Sequence, residues 1–415
     1  MTIRQRLKPL WVRLAVLLAV LGPGLITASA DNDAPGIATY SMAGSTYGYR
    51  FLWVILAVTL GEVIVMEMAG RMGAVTGQGT ADLIREQFGV RITTFAMLCL
   101  LIANFGTTVG EFAGVAAGAE LFGLSRYVAV PLAALLVGFL VIRGSYRHVE
   151  KVLLVLSLAA LSYILAAFVE KPDWGEVLRQ AVVPSFEGGS DYLFTLLAVV
   201  GTTITPWGIV YMQASVADKG VPMAEYKYTR LDVVVGSAWG NVVSAFIVIC
   251  TAATLFIAGI RVETAEQAAM ALEPLAGVWA KGLFAVGLLA ASLLAAAVLP
   301  LATAYAVSEA FGWERGLDRP FRVARIFYGL YTGIIVLSVA IVLIPGVPLF
   351  PLMWLSQSVN AILLPVLLIL VLKLTNDRRV MGRWTNPPWQ NVLAWILTGL
   401  IVLATVLLLV SPVLS

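Results

Sequence analysis

The 415-residue chain is 60% hydrophobic and only 12% charged, a balance that places it among polytopic membrane proteins and excludes an ordinary soluble enzyme. Its net charge of +3 is too small to suggest a nucleic-acid partner. Cys99 and Cys250 lie inside apolar runs with no metal-ligand spacing and read as packing residues, and the sole histidine, His148, sits in a short basic loop.

A membrane-spanning helix needs ~20 mostly apolar residues. Eleven segments qualify, roughly 14–43, 51–70, 92–119, 127–142, 152–169, 192–217, 233–259, 279–309, 324–344, 348–372 and 390–412. The first follows basic residues but lacks a convincing small-residue cleavage site, so it reads as a retained span rather than a signal peptide. Assigning the loops alternately puts 21 Lys and Arg on the side of the N-terminus and six on the other: Arg50, Arg126, Lys171, Arg179, Arg261 and Lys281. That bias predicts a cytoplasmic N-terminus, an outside C-terminus and a plasma (inner) membrane location. The outside loops are acid-rich instead. Glu170, Asp173, Glu176, Glu187 and Asp191 fall in one, and Glu263, Glu266 and Glu273 in another. They either gather cations at an outer mouth or are simply solvated. Residues 262–272 read as a short surface helix.

The first and sixth spans are long and interrupted. In the first, Ser29-Ala30-Asp31-Asn32-Asp33-Ala34-Pro35-Gly36 places two carboxylates and an amide where hydrocarbon should lie; in the sixth, Gly201-Thr202-Thr203-Ile204-Thr205-Pro206-Trp207-Gly208 gathers three threonines. Backbone in hydrocarbon must find partners, so such breaks are tolerated only against protein or a water-filled cavity. Matching breaks five spans apart predict an inverted-repeat transporter with its substrate held between them. The repeats cover about 14–170 and 192–373 of a single domain, residues 1–415, with an extra helix at 390–412. The fold class expected is therefore all-α, with eleven transmembrane helices in a 5+5 arrangement.

Unwinding frees carbonyls near Ala30 and Thr202, and Asp33 adds a formal charge. If the residues between them stay helical, the Thr202 and Thr205 hydroxyls face one side. On span ten Gln357 and Asn360 share a helix face at i, i+3. All these donors are oxygen, which suits a hard divalent cation such as Mg²⁺ and is poorly suited to Zn²⁺ or Cu; Mn²⁺ has similar ligand tastes. Asp31 and Asn32 either touch the ion or point away to cap the half-helix. Glu111 on span three relays protons, faces the cavity, or is a structural carboxylate at a helix break. Glu62 and Glu67 on span two pose the same choice, although Glu67 and Arg71 are spaced as an ordinary i, i+4 ion pair. Glu309 and Glu314 read as structural.

Gly22-Pro23-Gly24, Asp33, the run Gly70-Arg71-Met72-Gly73-Ala74-Val75-Thr76-Gly77, and Ser356-Gln357 with Pro365 resemble, in order and spacing, the NRAMP family of divalent-metal transporters. The resemblance covers most of the chain. It implies a LeuT-type fold, alternating access, and Asp33 as the metal-binding aspartate of an Asp-Pro-Gly-Asn box. The departures are informative. Gly36 stands where that box has its amide ligand, and Thr205 replaces a methionine. Trp207 replaces a histidine, and Thr108 replaces one acid of the usual proton path on span three. That pattern is similar to the NRAMP-related magnesium transporter branch, which implies Mg²⁺ and also Mn²⁺ as transported substrate without proton coupling.

Other readings are a proton-coupled Mn²⁺/Fe²⁺ symporter and a cation-coupled organic-solute symporter, against which Asp33 counts. An intramembrane enzyme would need a nucleophile–base pair or metal-binding histidines within the spans, and the sequence supplies neither. The expected partners are the divalent cation and the lipid bilayer, with no resident cofactor and no obligate protein partner.

Overall fold

The computed structural model describes residues 32–142, 156, 158–317 and 319–414. The first half of the first span, with Ala30 and Asp31, lies outside the described residues, as does His148. Among the described residues the protein is all-helical. Eight helical stretches among the described residues are long and apolar enough to cross a membrane, and two shorter apolar helices accompany them.

The chain enters at α1 (Ala34–Tyr47), begun by Asp33 with proline in its first turn, where a missing N–H costs nothing. Pro35 and Gly36, expected in the first break, therefore lie inside a helix. α2 (Leu52–Thr76) ends on Gly77, whose φ of 63° is the left-handed cap that favours glycine. α3 (Thr80–Leu121) begins twelve residues before the expected span and kinks at Gly89. Hydropathy could not find that extension because Asp82, Arg85 and Glu86 are charged, whereas helix propensity tolerates them. α4 (Arg126–Ile142) and α5 (Ser162–Glu170) complete the first half.

In the second half α6 (Ser190–Thr203) and α7 (Pro206–Asp218) are the two pieces of the broken sixth span. α8 (Tyr226–Thr251) continues into a π-helical turn, Ala252–Phe256. A short surface helix, Ala265–Met270, carries a capping box between Thr264 and Gln267. α9 (Ala280–Phe311), α10 (Arg325–Val342), α11 (Leu349–Asn376) and α12 (Pro388–Leu414) follow, close to the expected bounds.

The centre of the molecule is α1, α3, α6, α9 and α11, whose facing residues are buried. α12 is the opposite case. Its Leu393, Ile396, Leu400, Leu403 and Leu407 are exposed, a stripe that suits contact with lipid. Helices meet in the centre through small residues, as expected where lipid is as apolar as leucine and close backbone approach drives association. A side chain on Gly201 of α6 would collide with the Gln357 carbonyl and the Ala361 N of α11. That contact brings the end of α6 onto the polar face of α11.

α2 carries two buried carboxylates, each held by side chains of neighbouring elements. Glu62 accepts from Ser237 Oγ at 2.8 Å and Asn241 Nδ2 at 2.5 Å, both on α8. Glu67 pairs with Arg71 at 3.2 Å, but this is no ordinary surface pair. Arg71 also donates to the Trp384 carbonyl, Asn386 and Gln390, and Gln390 donates back to Glu67. A buried pair survives only when its remaining hydrogen-bonding capacity is met, and this network meets most of it.

Candidate cation site at the paired helix breaks

The two breaks end in the same way. Asp33 precedes α1 and its Oδ1 accepts from Gly36 N at 2.7 Å; Thr205 precedes α7 and its Oγ1 accepts from Gly208 N at 3.3 Å. Each half-helix thus opens on an oxygen that caps the N–H three residues on, with proline in the first turn. Such a cap satisfies a donor that the break would otherwise orphan. Gly36 therefore contributes its N–H to a cap.

Between Thr203 and Pro206 the chain is not helical. Ile204 and Thr205 are both extended, so these two hydroxyls do not share a turn, contrary to the expectation from spacing. Thr202 lies in the last turn of α6, and its Oγ1 is buried without a hydrogen-bond partner in the protein. Thr203 bonds instead to Tyr40 Oη of α1 at 2.8 Å. α6 presents its carbonyl end here, and a helix C-terminus carries partial negative charge suited to a cation.

α11 supplies the amide side. Asn360 Nδ2 donates to Gln357 Oε1 at 3.0 Å and to Thr107 Oγ1 of α3 at 2.8 Å. The shared face of Gln357 and Asn360 is realised, and Asn360 Oδ1 remains without a donor. α3 closes the third side. A Cβ on Gly110 would stand 2.7 Å from Pro35 and 2.9 Å from Ser356 Oγ, so α1, α3 and α11 meet at this glycine. One residue on, Glu111 is fully buried, with its carboxyl against the Asp33 carboxyl and the first turn of α1. The Ala34 N–H and the Asp33 carboxyl are the hydrogen-bonding neighbours of its oxygens.

Asn32 is taken up elsewhere. Its Nδ2 donates to the Gly240 carbonyl at 3.2 Å and its Oδ1 accepts from Ser244 at 3.3 Å, so this side chain anchors the break to α8. Trp207 packs against Ala295 and Leu299 of α9. Sequence reasoning missed Ser356, Thr107 and Met66. Ser356 sits in the Ser-Gln pair noticed in the sequence, but nothing local distinguishes Thr107. Met66 lies on α2, with its methyl carbon 2.9 Å from where a Gly208 Cβ would be.

The assembled group is Asp33, Glu111, Thr202, Gln357 and Asn360 around the breaks, with Thr205 as cap. Two carboxylates stand among neutral oxygens. Among the described residues no three His, Cys, Asp or Glu side chains converge as a dedicated metal cage. Such a set suits a hard cation that keeps part of its water.

Above the group, α1, α6 and α11 enclose a cavity of about 420 Å³ lined by Met42, Tyr47, Asp191, Tyr192, Thr195 and Trp354. Trp354 is one helical turn before Gln357, and Thr195 is two turns before Thr202. Three of the eight acids expected at this mouth are paired: Glu187 with Arg50, Glu266 with Lys281, and Glu176 with Arg179. The Arg179 and Gln180 hydrogen bonds hold exposed Glu176 down to about 2. Asp191 and Glu263 remain on the cavity wall. At the other end Thr80 Oγ1 donates to Gln213 Oε1 at 2.6 Å, and Gln213 Nε2 donates to the Gln78 carbonyl at 3.0 Å. α2, α3 and α7 are thereby laced together below the breaks.

A family profile described as "Natural resistance-associated macrophage protein-like" matches residues 24–411. The chain is 27% identical over 410 residues to the divalent metal cation transporter MntH of Bacillus subtilis, covering 95% of this chain and 92% of that one. It is 26% identical to the MntH of Caldanaerobacter subterraneus, covering 98% and 96%. Among solved structures it is similar to a manganese transporter of Eremococcus coleocola, with a TM-score of 0.72, 23% identity and coverage of 96% and 87%. It also shares its fold with MhsT bound to L-phenylalanine, with a TM-score of 0.63, 15% identity and coverage of 94% and 98%.

Proposed function

The chain belongs to the natural resistance-associated macrophage protein-like family, and from that premise we propose that it carries divalent cations into the cytoplasm by alternating access. Mg²⁺ is the principal cargo and Mn²⁺ a second one. The observation that carries this reading is the donor set: Asp33 with Thr202, Gln357 and Asn360, all oxygen and all buried. Oxygen ligands favour hard cations, and one or two carboxylates with neutral partners leave an ion such as Mg²⁺ part of its water. The relatives named for divalent metal cation transport support the class of cargo. The chain is read as one unit of two inverted repeats, about 14–170 and 192–373, and the matched caps at Asp33 and Thr205 support that symmetry.

The cavity above the site and the lacing below it describe an outward-facing carrier. With the cytoplasmic side assigned by the Lys and Arg bias, the cavity opens outside. An ion entering there passes Trp354 and Thr195 and meets Asp33, Gln357 and Thr202. Release inward requires the Thr80–Gln213–Gln78 lacing to part. No coupled proton is required to drive uptake. Each positive charge gains ~2.3 kcal/mol per 100 mV, so a divalent ion gains about 4.6 kcal/mol. Flux of Mg²⁺, Mn²⁺ and Ca²⁺ into proteoliposomes at an imposed potential, with internal pH recorded, tests the reading. Mg²⁺ entry without acidification is expected; proton movement that tracks the metal would defeat the uncoupled model.

One observation favours the second reading, a proton-coupled Mn²⁺/Fe²⁺ symporter. Met66 brings a thioether side chain beside Gly208 and the Thr205 cap, and thioether contact favours softer ions. Met66→Leu keeps the volume and removes the sulfur. Mn²⁺ flux that falls several-fold while Mg²⁺ flux holds would support a sulfur-assisted transition-metal site.

A further inference from the structure

A second cavity, of about 460 Å³, lies at the end of α3 away from the Thr80–Gln213–Gln78 lacing. It shares only Glu263 with the cavity above the breaks. Apolar helices end or begin around it: α3 closes at Leu121, α4 opens at Arg126, α9 at Ala280 and α11 at Leu349. The short surface helix Ala265–Met270 and the residues before it form the remaining side. Next to these lining residues in the chain, Phe122, Leu124, Tyr127, Val128 and Trp279 are exposed. Tryptophan and tyrosine belong at the level of lipid headgroups, where an apolar ring with a polar edge meets both phases. The cavity therefore stands at headgroup depth, beside a surface bare to acyl chains.

Its lining divides by chemistry. Ala117, Leu121, Leu349, Phe350 and Pro351 are apolar, whereas Glu120, Arg126, Glu263, Glu266 and Lys281 are charged. Arg126 pairs with Glu120 and donates to the Val347 carbonyl at 3.1 Å, and Lys281 pairs with Glu266. A guanidinium and an ammonium carry more N–H donors than these bonds use. Glu263 is the complement. Its backbone N–H is taken by Gln267 at 2.7 Å, while its exposed carboxylate has no ion pair or hydrogen bond among the described residues. Unspent cationic donors and an unspent carboxylate thus border one partly apolar space. A simple anion would meet the three carboxylates, and a small soluble cation would leave both the donors and the apolar wall unused. A ligand that uses every part joins an anionic group, a hydrogen-bonding cationic group and an apolar body.

We propose that this cavity holds the headgroup of one phospholipid bearing a primary amine. The phosphate lies against Lys281 and Arg126, the ammonium against Glu263, and the glycerol and chains run over Leu349 and Phe350 toward α4. The site is independent of the cargo's identity. Because Glu263 also borders the cavity above the breaks, the bound amine answers one carboxylate of that mouth and ties the segment between the two cavities to the bilayer.

Native mass spectrometry of the delipidated full chain, titrated with phosphatidylethanolamine, phosphatidylcholine and phosphatidylglycerol of identical chains, tests it. One phosphatidylethanolamine should be retained with a dissociation constant several-fold below those of the other two. The quaternary ammonium of phosphatidylcholine cannot donate a hydrogen bond, and phosphatidylglycerol has no amine. Glu263→Gln should erase the preference for phosphatidylethanolamine over phosphatidylcholine. Lys281→Gln should weaken both several-fold through the phosphate they share. Both side chains are exposed, so the melting temperature of the lipid-free variants should match that of the parent. Equal retention of the three lipids, a preference for phosphatidylglycerol, or a phosphatidylethanolamine preference that survives Glu263→Gln would overturn the proposal. So would chain-free phosphoethanolamine competing as strongly as the lipid, which would make the ligand a soluble one.

Discussion

Asp33 and Thr205 occupy matching places at the two breaks and differ in one respect, charge. Both are extended, both accept the N–H of a glycine three residues on, and both precede a proline in the first helical turn. The hydroxyl does its capping as well as the carboxylate does, so capping alone does not call for an acid in the membrane interior. An ionised group there is costly and is kept for function. On the function proposed above, the first break is where the cargo's charge is answered. The second supplies polarity and the C-terminal carbonyls of α6.

The sharpest way to break this comparison is Asp33→Asn, which keeps the cap acceptor and removes the charge. Divalent affinity should fall at least ~100-fold, about 2.8 kcal/mol at 1.4 kcal/mol per factor of ten, while the melting temperature barely moves. Calorimetric titration with Mn²⁺ together with a thermal melt in detergent would show it, and undiminished affinity would move the charge-bearing role away from Asp33. Next in size is Gly201→Ala. Its methyl has no space against the α11 backbone, so overpacking should destabilise by about 1–3 kcal/mol and lower both the melting temperature and transport. A stable, active variant would show that α6 and α11 are not in register as described.

Gln357→Leu removes an amide of the set without changing charge. It should weaken divalent affinity about tenfold, near 1.4 kcal/mol, in the same calorimetric titration. The smallest effect belongs to Thr205→Val, which deletes the second cap. A loss of about 1 kcal/mol is expected in thermal unfolding, with the ratio of Mg²⁺ to Mn²⁺ flux unchanged. Thr205→Met should instead move that ratio toward Mn²⁺, and a fixed ratio would count against Thr205 lying near the ion.

The carbonyls expected near Ala30 lie outside the described residues, and so does Asp31. Of the residues that are described, Asp33, Thr202, Gln357 and Asn360 were legible because polar groups stand out against apolar spans. Their relation to one another was not. The distance from Asn360 to Thr107 spans 253 residues of chain; no local pattern announces it. Asn32 shows the converse. It is as polar as its neighbour and one residue away, yet its side chain holds α8. Extended backbone at a break turns successive side chains to different sides, so adjacency in sequence carries no information about which one meets the ion.

The acid-rich outer loops illustrate the same limit. Eight carboxylates suggested a cation-attracting mouth, but Arg50, Arg179 and Lys281 neutralise three of them. Only pairing distances could decide how much of that field remains. Glu67 and Arg71 differ again: their spacing gave the pair, and burial with Gln390 and Asn386 made it part of a network joining α2 to the segment before α12.

Composition and the spacing of apolar runs determined by themselves that this chain spans a membrane repeatedly, and the Thr202–Gly208 stretch announced the interruption that parts α6 from α7. Hydrocarbon imposes those rules on every residue independently of its neighbours. What only the tertiary structure decided is which oxygens share a space. It set Glu111 against Asp33, and it brought Ser292 of α9 and Ala34 of α1 together at Gly114. Those relations depend on helices sliding to the closest approach that Gly110, Gly114 and Gly201 allow, and close packing is a property of pairs of surfaces.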